Sequence, residues 1–280
     1  MRGAVVSFHI PLSATGPLQS GDFDRFHGHL QPTAGRGTLR IDFTQVSSQF
    51  RIRRHTHMML KIPNVLSREQ IETAKNVLAT AKFVDGKLTA GRAANDTKFN
   101  EEADNSEEQI RKLNEMIMGT MCNHPTFRTA ALPTGVSPAY FARYGPGMSY
   151  GYHVDAPVGM NHQNRADIAL TIFLSDVDEY DGGELSIHTS FGEQHVKLPA
   201  GDAVVYPASS LHRVREVTRG QRLVAVAWTQ SMIRDPARRE LLYELGRARD
   251  LAHSAGDSAR EQLDILQQVH ANLMRMWAEV

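Results

Sequence analysis

The chain lacks most features that would take it out of a reducing, aqueous compartment. It has one cysteine, Cys122, so no intrachain disulfide can form and nothing calls for an oxidising environment. Cys122 follows an apolar stretch, and buried filler is the expectation rather than a reactive thiol. There is no run of about 18 apolar residues, the minimum for a bilayer-spanning helix. The first residues, Met1 to Val6, carry one basic side chain and then meet His9 and Pro11. They form no apolar signal-peptide core, and the expected location is the cytoplasm. Neither sign of charge is in excess, with 31 Lys plus Arg against 31 Asp plus Glu. That balance gives no support for nucleic acid or an anionic membrane as a partner. No internal repeat is visible.

What remains is an ordinary soluble composition, 41% hydrophobic and 22% charged over 280 residues, enough for one core with an appendage. Residues 1–57 mix Gly, Ser, Thr and Pro with a basic patch, Arg51-Ile52-Arg53-Arg54-His55. They show no sustained period, and a poorly ordered extension is the preferred expectation, with a start at Met58 or Met59 as an alternative. From Met59 the pattern is that of a folded domain. Met59 to Ile62 reads as a strand. Ser67 and Gln70 fit a capping box, and Ile71, Ala74, Leu78 and Ala81 follow at helical spacing. A second helix is expected over 106–122, with Ile110, Leu113, Ile117 and Met121 on one face. The polar stretch from Asp85 to Asn105 between them is expected to be a long loop.

Between Val136 and Gln230 the period changes. Short runs such as Tyr140–Tyr144, Ile168–Leu174, Glu184–Ile187 and Ala203–Tyr206 alternate with turn signals. Such spacing predicts a sandwich or barrel. The continuous run Leu223–Trp228 predicts a strand buried on both faces. After it, Asp235-Pro236 is an N-cap followed by Pro at the first helical position. Leu241, Leu242, Leu245, Ala248 and Leu251 then line one helix, and Leu263, Leu266, Val269, Leu273 and Met276 another. These stripes need a partner, either the β-core or a second copy of the chain in a homo-oligomer.

Chemistry concentrates at Tyr150-Gly151-Tyr152-His153-Val154-Asp155. Residues two apart on a strand share a side, so His153 and Asp155 can offer an imidazole nitrogen and a carboxylate oxygen to one point. His212, 59 residues later on a strand-like run, is the candidate third ligand. His188 and His195 flank a hairpin turn and read as exposed, and His162 lies in the polar loop 160–164. Asp181-Gly182-Gly183-Glu184 is too short for a calcium loop and reads as a tight turn. Two histidines and a carboxylate on one face leave the opposite positions of a metal open, which suits iron(II); zinc also accepts such a set. Arg222, ten residues beyond His212, narrows the choice. A buried guanidinium near an open metal needs an anion and matches a carboxylate with two parallel hydrogen bonds. A dicarboxylate that chelates iron at one end and meets Arg222 at the other accounts for both. Tyr144 and Thr171 are placed to add hydroxyl contacts.

At this point the sequence resembles the PKHD-type hydroxylases, bacterial members of the prolyl 4-hydroxylase-like iron(II)/2-oxoglutarate dioxygenases, including a group associated with iron uptake. The resemblance runs from about Met58 to the C-terminus. It rests on Met58-Met59-Leu60-Lys61-Ile62-Pro63 and on Phe141-Ala142-Arg143-Tyr144-Gly145-Pro146-Gly147 leading to Gly151–Asp155. It rests further on Leu174-Ser175-Asp176 with Asp181–Leu185, and on Pro207–Val214. It implies an α+β fold: a double-stranded β-helix (jelly-roll) core with flanking N-terminal helices and a C-terminal helical extension. The implied division is 58–230 for the dioxygenase domain and 231–280 for the extension. It implies iron(II) at His153, Asp155 and His212, 2-oxoglutarate as co-substrate at Arg222 and Tyr144, L-ascorbate as a cofactor, and Tyr150 near the substrate. The implied reaction consumes dioxygen and turns 2-oxoglutarate into succinate and CO2 while hydroxylating a second substrate. Residues 1–57 depart from the family pattern. Two other classes stand beside this reading: a non-catalytic iron/2-oxoglutarate sensor on the same fold, and a zinc hydrolase on a cupin-like barrel, where Arg222 has no obvious job.

Overall fold

The computed structural model describes residues 58–89, 96–158 and 164–279. The expected N-terminal extension, its basic patch and His162 lie outside the described residues. The strands are β1 (Leu60–Ile62), β2 (Phe83–Asp85), β3 (Lys98–Phe99), β4 (Glu101–Ala103), β5 (Pro133–Val136), β6 (Tyr140–Tyr144), β7 (Ser149–His153) and β8 (Ile168–Phe173). They continue as β9 (Tyr180–Gly182), β10 (Leu185–Thr189), β11 (Gly192–Val196), β12 (Ala203–Pro207), β13 (His212–Val214), β14 (Val217–Gly220) and β15 (Arg222–Ser231). The helices are α1 (Arg68–Thr80), α2 (Glu108–Asn123), α3 (Pro125–Ala131), α4 (Pro236–Ser254) and α5 (Arg260–Trp277).

An eight-stranded antiparallel sheet runs β1-β12-β8-β15-β6-β4-β2, with β5 also paired to β15. A smaller sheet runs β11-β10-β13-β7-β3, and β9 pairs with β14. The fold is therefore α+β, with strands from both sheets contributing to one cluster. Alternation explains how. On β8, Leu170 and Ile172 join α1 and α2 in an apolar core that also holds Ile110, Ile117, Met121 and Phe127. Ala169 and Phe173, one residue out of phase, enter the second cluster with Leu185, Ile187 and Val214 of the smaller sheet. Each fully buried Leu, Ile or Phe contributes about 1.5–3 kcal/mol through area removed from water.

Helix starts follow local chemistry. Ser67 accepts the backbone N–H of Gln70 while the Gln70 side chain accepts that of Ser67, a complete capping box. Asp235 caps α4 by accepting from Ala237 and Arg238, with Pro236 in the first turn. The C-terminal stripes are only half covered. Leu242 and Leu263 are buried, but Leu241, Leu251, Val269 and Met276 stay exposed. No helix among the described residues is long and apolar enough to cross a membrane.

The polar loop expected over 85–105 is a correction. β2, a 3-10 turn at Gly86–Thr89, β3 and β4 occupy most of it, and β4 extends the larger sheet while β3 edges the smaller one. The alternation here is inverted. Lys98, Asn100 and Glu102 are the buried positions, and Phe99 faces out. A strand with its polar residues inside leaves no apolar period to read. Helix α3 was also unassigned in the sequence; it is a two-turn element begun by Pro125.

Candidate metal centre

Strands β7 and β13 pair antiparallel, with His212 opposite His153. Asp155 lies just past the end of β7. One ligand atom from each of His153, Asp155 and His212 lies within 4.8 Å of the others. The Nε2 atom of His212 is 3.8 Å from Oδ1 of Asp155. The two imidazoles sit 4.2 Å apart, tilted by 53°. The ring orientation is fixed locally. Nδ1 of His153 bonds the carbonyl of Gly151 at 2.8 Å, and Nδ1 of His212 bonds that of Ser210 at 2.9 Å. A carbonyl only accepts, so each Nδ1 carries the proton and each Nε2 keeps its lone pair for another partner.

The register explains Tyr150. Val214 pairs with Tyr150 while His212 pairs with His153, so two steps on β13 meet three on β7. The extra residue is a β-bulge. It turns Tyr150 and His153 to the same side, where their rings stack at 3.6 Å and 14°.

The electrostatics suit a cation. Burial, then the charge of His212, pulls the His153 pKa from 6.5 to about 3, so its ring is neutral at ordinary pH. Burial raises the Asp155 pKa, opposed by His212 and by the indole of Trp228. Oδ2 of Asp155 is buried without a hydrogen-bond partner. Two imidazole nitrogens and a carboxylate oxygen without a hydrogen-bond partner are the donor set a divalent transition metal takes.

Arg222 begins β15 opposite Tyr144 of β6. It is 1% exposed, with its guanidinium 5.1 Å from the Tyr144 ring and 5.6 Å from the Phe173 ring. Among the described residues no carboxylate forms an ion pair with it, and its Nε is buried without a partner. Gly183 makes room for it. A Cβ there would stand 3.1 Å from Cδ of Arg222, and its φ of +66° already disfavours a side chain. Burial pushes the Tyr144 phenol up to about 12, with Arg222 pulling the other way, so it stays a hydrogen-bond donor. Thr171 is buried, and its hydroxyl lowers the pKa of the neighbouring Tyr206 phenol, which burial otherwise raises strongly.

Four further residues border this space that the sequence reading passed over. Tyr206 meets His212 edge-on at 5.2 Å and feels the charges of both Asp155 and Arg222. Tyr180 has a buried hydroxyl with no partner; burial raises its pKa, and the charge of Arg222 opposes that rise without overcoming it. Lys98 bonds Glu102 at 2.6 Å, and its ammonium lies 5.4 Å from the Tyr150 ring. A same-face rule from Arg222 along β15, or from Val204 along β12, is the signal that would have found Trp228 and Tyr206. His188 and His195 stay on the β10–β11 hairpin outside the cluster. His195 bonds Ser186 instead, at 2.8 Å.

Comparison with known proteins decides the family. A PKHD-type hydroxylase of Thioalkalivibrio sulfidiphilus is 49% identical over 225 residues, 80% of this chain and all of that protein. One of Acinetobacter baylyi is 40% identical over 228 residues, again 80% of this chain and all of the relative. The chain is a PKHD-type hydroxylase family member. The profile of the 2OG-Fe(II) oxygenase superfamily matches residues 139–230, the stretch that holds His153, Asp155, His212 and Arg222. PKHD-type hydroxylases are thus enzymes of the iron(II)/2-oxoglutarate oxygenase class, and so is this chain. Among solved structures, a prolyl 4-hydroxylase of Pseudomonas putida is 16% identical with a TM-score of 0.43, over 62% of this chain and 92% of that one.

Proposed function

We propose that His153, Asp155 and His212 hold iron(II), that Arg222 with Tyr144 and Thr171 receives the far carboxylate of 2-oxoglutarate, and that the enzyme hydroxylates a C–H bond of a second substrate. The observation that carries this reading is Arg222, a buried guanidinium with no acid partner, linked to three convergent metal donors through Tyr206, which packs on His212 and feels the charges of both Asp155 and Arg222. A buried unpaired charge is too costly to keep without a ligand. A zinc hydrolase would leave it idle.

The two sheets are read as a double-stranded β-helix, with 58–230 as the oxygenase domain and 231–280 as a helical extension. Bound iron(II) with 2-oxoglutarate supplies dioxygen activation, in which the oxo acid is oxidatively decarboxylated to succinate and CO2 and a hydroxyl is delivered to the substrate carbon. The chain's own residues do the positioning. His153 and His212 turn their Nε2 atoms to the metal because their Nδ1 atoms are committed to the carbonyls of Gly151 and Ser210. Arg222 neutralises the remote carboxylate. Tyr144 and Thr171 donate hydroxyl protons to it. Tyr150, stacked on His153, walls the side toward the hydroxylated substrate. Valines and tyrosines of the second cluster exclude water.

We assign L-ascorbate as the accessory reductant, the cytoplasm as the location and iron acquisition as the setting, with a siderophore component as the first substrate class to test. Leu241, Leu251, Val269 and Met276, left uncovered, suit a second copy of the chain. The deciding experiment is an anaerobic titration with iron(II) and 2-oxoglutarate. A weak visible charge-transfer band followed by succinate on admission of air is the expected result. A band with no succinate in the presence of any candidate iron chelator would favour a sensor, and no band at all would favour zinc.

A further inference from the structure

Strand β15 delivers a second polar group to the site besides Arg222. Trp228 lies six residues further on, an even spacing that puts it on the same face. Its ring belongs with the second cluster, beside Val224 and Val226. It is held firmly. Its backbone N–H donates to Oγ of Ser137 at 3.0 Å, its carbonyl accepts the N–H of Ser137 at 2.8 Å, and Tyr140 packs edge-on at 5.8 Å.

The indole Nε1 is buried and makes no well-formed hydrogen bond, and the same is true of Oδ2 of Asp155. The sheet places the two groups together: Trp228 and Tyr206 pair with Ala169 from either side, and Tyr206 meets the His212 ring, whose Nε2 is 3.8 Å from Asp155; in keeping with this, the indole is one of the influences that lower the Asp155 pKa. An indole N–H only donates and an ionised carboxylate only accepts. Each is the missing partner of the other. Buried polar groups are rarely left unmade unless a ligand completes the arrangement.

We propose that Trp228 is a positioning residue of the metal centre: its N–H takes Oδ2 of Asp155 and leaves Oδ1 as the single ligating oxygen. This rests on Asp155 being a metal ligand. A carboxylate held through one oxygen occupies one coordination position, so the others stay free for the co-substrate and dioxygen. A carboxylate released from the indole can close on the metal with both oxygens. The donor also favours the ionised carboxylate against the effect of burial, which is the form a cation needs.

The test uses cobalt(II), whose visible spectrum reports coordination number without turnover. Trp228→Phe keeps the ring and deletes the N–H. It should weaken cobalt binding about 10-fold or more and change the intensity of the visible bands, while Asp155→Ala should abolish binding. Wild-type affinity and spectrum in Trp228→Phe, with Asp155→Ala silent, overturn the role of Trp228 alone. Undiminished cobalt binding in Asp155→Ala overturns the metal-site reading, and the proposal with it. A second arm leaves position 228 intact. The chain has two tryptophans, so in Trp277→Phe the emission comes from Trp228 only. Saturation with zinc should shift that emission, and an unchanged spectrum overturns the proposal.

Discussion

Leu223, Ala225 and Ala227 point from β15 into the helix-covered core, whereas Arg222, Val224, Val226 and Trp228 point the other way, into the space between the sheets. Between Leu223 and Ala227 the first face has no polar side-chain atom to satisfy; Thr229, further along the same face, leaves its Oγ1 unmade. The second carries two unmade N–H groups, and the unmade Oη of Tyr180 and Oδ2 of Asp155 lie near them. One strand thus separates residues selected for close packing from residues waiting for ligands. Stability should be lost by changes on the first side, and chemistry by changes on the second.

The largest effect expected is on the ligand side. Asp155→Ala should reduce succinate formation at least about 1000-fold, since a first ligand matters more than the outer partners worth 10–100-fold. The same change removes a buried carboxylate that burial already disfavours, so the metal-free protein should melt no lower than wild type. A large drop in melting temperature would mean that Asp155 is a structural residue, and the separation between the faces would fail.

The opposite result is expected on the core face. Ile172, fully buried on β8 and packed with the helices, should cost about 3 kcal/mol of stability when changed to Ala. Turnover per folded molecule should stay within about twofold, the indifference expected of a distant site with no shared partner. Chemical denaturation followed by activity in the absence of denaturant checks both numbers.

Arg222→Ala comes next. It should raise the concentration of 2-oxoglutarate needed for half-saturation about 100-fold, equivalent to about 2.7 kcal/mol for a charge-assisted pair. Cobalt(II) affinity should hardly change. Equal 2-oxoglutarate affinity in wild type and variant would remove Arg222 from the site.

The same division governs what could be read from the sequence. The grouping of His153, Asp155 and His212 and the burial of Arg222 are legible because a two-residue period and a run of Leu, Val and Ala say which side of a strand faces in. The capping box at Ser67 and the Asp235-Pro236 start are local codes and appear as expected. Lys98, Asn100 and Glu102 defeated the reading because they put polar atoms inside, where their partners, Thr89 and Glu102 for Lys98, come from short segments folded back on each other. The bulge in β7 was invisible too. Nothing in Gly151-Tyr152 announces that Tyr150 will share a side with His153. Tyr180, Tyr206 and Trp228 look like ordinary core aromatics until their neighbours are known.

The smallest effect is a pH dependence that belongs to the ligand side alone. In the metal-free protein His153 titrates at about 3 instead of 6.5, mainly because it is buried and secondarily because of His212. The unfolded chain takes up this proton as the pH falls through about 6.5, and the folded ring refuses it until about 3. Stability from this group is therefore complete above pH 6.5 and is lost progressively as the pH drops below it. Between pH 6.5 and 5 the loss is roughly 2 kcal/mol. Asp155 has the opposite sign, because its raised pKa lets the folded state bind a proton before the unfolded chain does. It offsets part of the loss as the pH falls through its raised folded-state value, above the ordinary 3.8, so the measured slope is the net of the two groups. Urea midpoints at pH 7, 6 and 5 in the presence of a chelator measure the slope. His153→Asn should flatten it, whereas Ile172→Ala should lower the whole curve in parallel, because hydrocarbon has no proton to exchange. A slope untouched by His153→Asn would mean that the ring is solvated in the folded protein, and that the space it faces is not closed to water.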